Sequence, residues 1–131
     1  MWTRNYINCY CNMEMIIEFA LPIATRSEMN LREHWTKRHK RLKEHKHVSY
    51  LLTEESKYLN GFYAIEGNNY KLHLCRHGRK MLDADNLPSS FKGIIDGICL
   101  ALGIDDGKVA MVFEQTEKNK VPFVTVKIEV I

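Results

Sequence analysis

Between Leu82 and Lys108 the chain reads LDADNLPSSFKGIIDGICLALGIDDGK, and five carboxylates (Asp83, Asp85, Asp96, Asp105 and Asp106) surround one apolar segment there. Asp83 and Asp85 are two residues apart, so on an extended backbone their side chains leave the same face. Asp105-Asp106-Gly107 is a turn signal, which presents a carboxylate without burying it. Three carboxylates brought together repel one another unless a cation lies between them, and all-oxygen ligation suits Mg²⁺ or Mn²⁺ rather than Zn²⁺. The chemistry such a centre performs is metal-assisted attack of water on a phosphodiester. Asp at a helix start and Asp-Gly in a turn are also ordinary capping and turn chemistry, so each acid alone has a purely structural reading beside the catalytic one.

The segment between the acids must position them. Phe91, Ile94, Ile95, Ile98 and Leu102 follow the i, i+3, i+4, i+7, i+11 spacing of one buried helical stripe. Asp85 or Asn86 is placed to cap this helix, Pro88 falls in its first turn, and Gly103 is placed to end it. A helix of about 16 residues is about 24 Å long. The following strand is expected to fold back along it and bring Asp106 to Asp83 and Asp85. Lys92 and Asp96, at i and i+4, point away from the apolar stripe, which turns the lysine toward the same acidic site.

The combination D-x-D-N-L, then a helix with K-x-x-x-D, then G-I-D-D leading into a strand, resembles the RusA family of Holliday-junction resolvases, endodeoxyribonucleases of phages and prophages. The resemblance covers about the last 50 residues well and the earlier part only by element order. It implies that Asp83, Asp85 and Asp106 are Mg²⁺ ligands, that Lys92 assists, and that the protein is a homodimer acting on four-way or otherwise branched DNA. Well-known members carry the lysine three residues after the motif's asparagine, where this chain has Ser89, and Lys92 comes three residues later. The family's basic residue and proline before the first aspartate are here Met81 and Leu82, with Arg79 and Lys80 slightly upstream.

Charge is distributed unevenly. The chain of 131 residues has a net charge of +3, yet Arg32 to Lys46 alone holds seven basic residues against Glu33 and Glu44. A concentrated basic stripe is the footprint of a polyanion partner. Lys37, Arg38, Lys40 and Arg41 in this stretch, and Arg76, Arg79 and Lys80 just before the acid pair, are the candidate DNA-phosphate contacts. The bland reading of the stretch is a solvated helix face. His34, His39, His45 and His47 lie within it without a metal-binding spacing, and add pH-dependent positive charge.

The rest of the chain reads as a scaffold. Hydrophobic content of 45% and charged content of 27% fit one globular domain. Residues 1–12 form an N-terminal extension and residues 13–131 the domain. Met13 to Leu21 predicts a first strand. A helix is expected from Asn30 to about Glu55, bound through a thin seam of Leu31, Trp35, Leu42, Ser49 and Leu52. Phe62 to Glu66 is a short strand or loop. Tyr70 to Arg76, Val109 to Gln115 and Phe123 to Ile131 are strands by alternation. The order β-α-β-α-β-β predicts an α+β domain with one mixed or antiparallel sheet and helices packed on it. No stretch is long and apolar enough for a bilayer and no signal-peptide pattern begins the chain. A cytoplasmic protein with reduced Cys9, Cys11, Cys75 and Cys99 is therefore expected, without a zinc knuckle. The function that follows is a Mg²⁺-dependent (or Mn²⁺-dependent) endodeoxyribonuclease for branched DNA. The alternative is a non-catalytic DNA-binding accessory protein of the same fold.

Overall fold

The computed structural model describes residues 16–28, 33–62 and 69–131. Four segments become strands, two of them mostly apolar, β1 (Ile16–Leu21) and β3 (Val109–Thr116), and two with alternating burial, β2 (Tyr70–His77) and β4 (Phe123–Val130). They form one mixed sheet in the order β1-β4-β2-β3. β4 runs antiparallel to both β1 and β2, and β3 lies parallel to β2. Leu72, Leu74, Val124, Val126 and Ile128 project from the central strands into the core and are at most 1% exposed. Lys71, His73, Cys75 and His77 alternate with them on the opposite face and are half-buried.

Parallel strands need a crossover, and the predicted acidic segment supplies it. It folds as a 3₁₀ turn, Pro88–Phe91, continuing into helix α2, Lys92–Leu102. Phe91, Ile94, Ile95, Ile98 and Leu102 are all buried, as their spacing predicts. No side chain caps the start of either piece, so Asp85 and Asn86 do not take that role. Pro88 occupies the first 3₁₀ position. Gly103 closes α2 at φ 69°, and the Ile104 amide donates to Cys99 O at 3.1 Å, a left-handed cap that glycine adopts without strain.

Helix α1 is Trp35–Asn60. It starts later and ends later than its sequence suggests. The expected cap Asn30, with Leu31, lies outside the described residues, as do residues 1–15, with Cys9 and Cys11, and residues 63–68. Its buried side agrees with the predicted seam at Ser49 and, in part, at Leu52, which packs against the core, and differs elsewhere. Trp35 is 71% exposed, Leu42 and Leu52 are half-buried, and the buried residues are His45, Ser49, Thr53 and Ser56. The reason lies on the partner helix. A Cβ on Gly93 would stand 2.6 Å from Leu42 O and 2.7 Å from His45 Cβ. One on Gly97 would collide with Lys46 O and stand 2.9 Å from Ser49 Cβ. The helices meet at backbone distance, where only small residues fit. The contacts Leu42–Gly93, Lys46–Gly97 and the Lys57 Nζ donation to Ala101 O at 2.6 Å advance together, so α1 and α2 run in the same direction.

Candidate functional site

The strand directions bring the carboxyl ends of β1, β2 and β3 to one end of the sheet, together with the start of α2 and, through the Leu42–Gly93 contact, the basic first half of α1. The loop carrying Asp83 and Asp85 leaves β2 at this end, and three sets of bonds hold it. Arg76, itself 9% exposed, donates to Thr25 Oγ1 at 3.1 Å, to Thr25 O at 3.3 Å and to Lys80 O at 2.7 Å. The Leu82 amide donates to Gln115 Oε1 at 2.9 Å, while Gln115 Nε2 donates to Leu82 O at 2.8 Å. The Asp83 carbonyl accepts from the amides of Asn86 and Leu87 at 2.9 and 3.1 Å. The backbone is thus tied down while both carboxylates are exposed and, among the described residues, have no side-chain partner. The segment is a turn rather than the extended stretch that would put both side chains on one face, so the loop presents two exposed, unpaired carboxylates, each able to receive a cation or an incoming hydrogen-bond donor.

Lys92 begins α2 at the same end, and its Nζ donates to Asp96 at 3.5 Å across an exposed pair. Such a contact is worth at most about 0.5 kcal/mol, so the ammonium is free to turn to another anion.

Asp106 lies elsewhere. It opens a 3₁₀ turn, Asp106–Lys108, that precedes β3. The preceding Asp105 accepts from the Gly107 amide at 3.0 Å, and this bond, with help from the neighbouring Asp106, holds its pKa below the usual carboxylate value. The chain does fold back along α2, as expected, but Asp106 stays at the far end of the returning strand. The residue that reaches the acid pair is Gln115. From Val109 to Gln115 there are six residue rises, or about 20 Å at about 3.3 Å each. Accordingly, no group of three or more His, Cys, Asp or Glu side chains among the described residues is placed to hold a metal ion. Within one chain the three predicted ligands divide into Asp83 with Asp85 and, across the molecule, Asp106.

The predicted basic contacts also divide. Arg41 donates through Nη2 to Glu28 and to Glu33, each at 2.5 Å, and through Nε to Glu28 at 2.9 Å. Those carboxylates keep its guanidinium all the more firmly protonated, and Arg41 in turn lowers the pKa of Glu33. Arg38 lies 3.5 Å from the same buried Glu28. Arg41 and Arg76 are therefore internal fasteners, bonded to Glu28 and Glu33 and to Thr25 and Lys80 respectively. Lys37, Lys40 and Lys80 are exposed and unpaired among the described residues, and Arg79 is exposed with its guanidinium on Lys120 O. Lys118 and Lys120, which the sequence presents only as a turn, join this basic end. Doubled lysine beside a turn is the signal that marks them.

Other titratable groups have structural settings. Cys99 is buried in α2, and burial, reinforced by Asp106, Asp96 and Asp105, pushes its thiol up to about 11. Cys75 is also free and shifted upward by burial and Glu114. No helix among the described residues is long and apolar enough to cross a membrane.

No family model matches this chain. No curated protein matches it. Among solved structures it is similar to a 2C-methyl-D-erythritol-2,4-cyclodiphosphate synthase, at 14% identity and a TM-score of 0.34, over 64% of this chain and 51% of that one. The chain thus spans about half of that structure, and the likeness is too slight to carry an argument.

Proposed function

We propose that this chain is a Mg²⁺-dependent endodeoxyribonuclease for branched DNA, working as a two-fold homodimer. The observation that carries the reading is the gathering, at one end of the fold, of two unpartnered carboxylates, Asp83 and Asp85, with Lys92 and a set of unpaired cations. Carboxyl ends of parallel strands are where sheets of this kind place ligands. The resemblance of the D-x-D-N segment to the RusA family supports the same reading.

A second copy can bring the third carboxylate. Because Asp106 precedes β3 while Gln115, about 20 Å further along that strand, is the residue bonded to the Asp83 loop, a two-fold arrangement in which each Asp106 meets the partner copy's Asp83 and Asp85 completes two equal centres. Two such centres suit paired cuts in a four-way junction. A divalent cation held there supplies activation of water and charge neutralisation at the scissile phosphate. The chain's own part is to fix Asp83 and Asp85 through Arg76 and Gln115, to aim Lys92 at developing charge, and to seat the backbone on Lys37, Lys40, Arg79 and Lys80.

Mixing inactive variants tests this. Asp83→Asn and Asp106→Asn are each expected to abolish Mg²⁺-dependent nicking of a labelled junction. In a mixed dimer one centre regains all three acids, and single-strand nicking returns at about a quarter of the wild-type site density for random pairing. Absence of wild-type cleavage with Mg²⁺ and Mn²⁺ alike sinks the nuclease reading. The second reading, a DNA-binding protein without cleavage, is favoured by the lack, among the described residues, of a group of three acids around Asp83 and Asp85.

A further inference from the structure

Two loops meet over the end of β2. The amide of Gly78 donates to Thr116 O at 3.0 Å, and the amide of Asn119 donates to Gly78 O at 3.2 Å. The Asn119 side chain adds bonds to Thr116 Oγ1 at 3.1 Å, Glu117 O at 3.3 Å and Gly78 O at 3.4 Å. Arg79 then reaches across, its Nε and Nη2 donating to Lys120 O at 3.3 and 3.2 Å. Between these loops lies an open cavity of about 450 Å³ lined by Arg79, Lys118, Asn119 and Lys120. Lys118 holds φ 70°, the one non-glycine residue with positive φ among those described. A lysine in the left-handed region costs of order 1 kcal/mol, and such outliers gather where a site fixes them.

The lining is cationic, and no side chain among the described residues pairs with its lysines. The ammonium groups of Lys118, Lys120 and Lys80 have no hydrogen bond or ion pair among the described residues. Glu117 is the only acid of the β3–β4 connection, and the β2 exit loop carries its acids, Asp83 and Asp85, beyond Arg79 and Lys80. The Nη1 group of Arg79 remains unspent after its bonds to Lys120. By contrast, two of the arginines of the more conspicuous basic regions, Arg41 and Arg76, are largely buried on internal partners, whereas Arg79 is exposed.

We propose that Arg79, Lys118 and Lys120 form a cradle for backbone phosphates of a nucleic-acid strand, built from the β2 exit loop and the β3–β4 connection. The inference rests on the DNA-directed reading above and deepens it: the strand crosses the sheet end beside Asp83, held by this cradle as well as by α1. Phosphate contacts of this kind give affinity without base preference and release counterions.

The test measures binding of the full chain to a labelled DNA duplex and four-way junction in EDTA, across a salt series. Lys118→Gln with Lys120→Gln is expected to reduce the slope of log K against log salt by about 1.8, or about 60-fold in affinity at about 0.1 M salt. A second pair, Lys118→Gly with Lys120→Gln, keeps the loop free of strain and is expected to behave the same. An unchanged slope in these variants, beside a wild type that binds DNA in a salt-dependent way, overturns the cradle and leaves the DNA reading standing. A wild type with no salt-dependent DNA affinity overturns both. Loss of binding to phosphatidylserine vesicles, with DNA affinity unchanged, also overturns it by assigning the cations to a lipid surface.

Discussion

Replacing Gly97 with alanine tests the contact that joins the two helices. The added Cβ would collide with Lys46 O, stand 2.9 Å from Ser49 Cβ and lie 3.0 Å from the Tyr50 amide nitrogen. Two of these neighbours are backbone atoms of α1, so no rotamer change relieves them and the helices must separate. Overpacking of this kind costs about 1–3 kcal/mol. Alanine returns up to about 1 kcal/mol of helix propensity. With rigid neighbours the upper part of the range applies, and the net loss is about 2 kcal/mol. For a chain of this size that lowers Tm by about 8 °C. Urea and thermal melts followed by far-UV circular dichroism read this directly. A Gly97→Ala protein that is equally stable, or more stable, would refute the backbone-distance packing, because propensity alone predicts stabilisation.

The remaining predictions follow from the internal fasteners. Arg41→Ala leaves the carboxylate of Glu28, whose side chain is fully buried, with Arg38 at 3.5 Å as its one cation among the described residues, and is expected to cost about 3 kcal/mol in urea melts. Arg76→Gln removes charge-assisted bonds to Thr25 and Lys80, with an expected loss of about 2–3 kcal/mol and no change in the salt slope of DNA binding. His45 is buried against α2, and burial lowers its pKa from 6.5 despite Glu28 and Glu44, with Arg41 and Arg26 reinforcing the shift. Its neutral form is favoured in the folded state, so its contribution is intact above pH 6.5 and is lost as pH falls from there toward the lowered folded value. The urea midpoint of the native protein should therefore drop more steeply below that pH than that of His45→Gln.

The strands and α2 are legible in the sequence because their buried faces are apolar and periodic, from Leu72 and Leu74 to Ile94 and Ile98. The buried side of α1 is legible only at Ser49 and Leu52. His45, Thr53 and Ser56 carry no hydropathy signal, and His45, like Ser49, lies where Gly93 and Gly97 offer no side chains to pack against. The acid pair can be read from its motif and its loop setting. The position of Asp106 cannot, since nearness to a helix end in sequence gives no information about which end of the returning strand a residue occupies. Charge is equally ambiguous. Arg41 and Lys40 look alike in a one-dimensional reading, and only the placement of Glu28 and Glu33 separates a fastener from a free cation.

The glycine contact between α1 and α2 also acts as a spacer. Helices that touch through side chains settle at whatever separation their rotamers permit, and each substitution adjusts it. Here the separation is set by main chain against main chain, so the roots of Lys37 and Lys40 hold a constant offset from the loop of Asp83, however freely the ammonium groups sway. The exposed face of α1 can then drift in composition, exchanging lysine for arginine or moving a charge by one turn, without disturbing the register between the basic face and the acid pair.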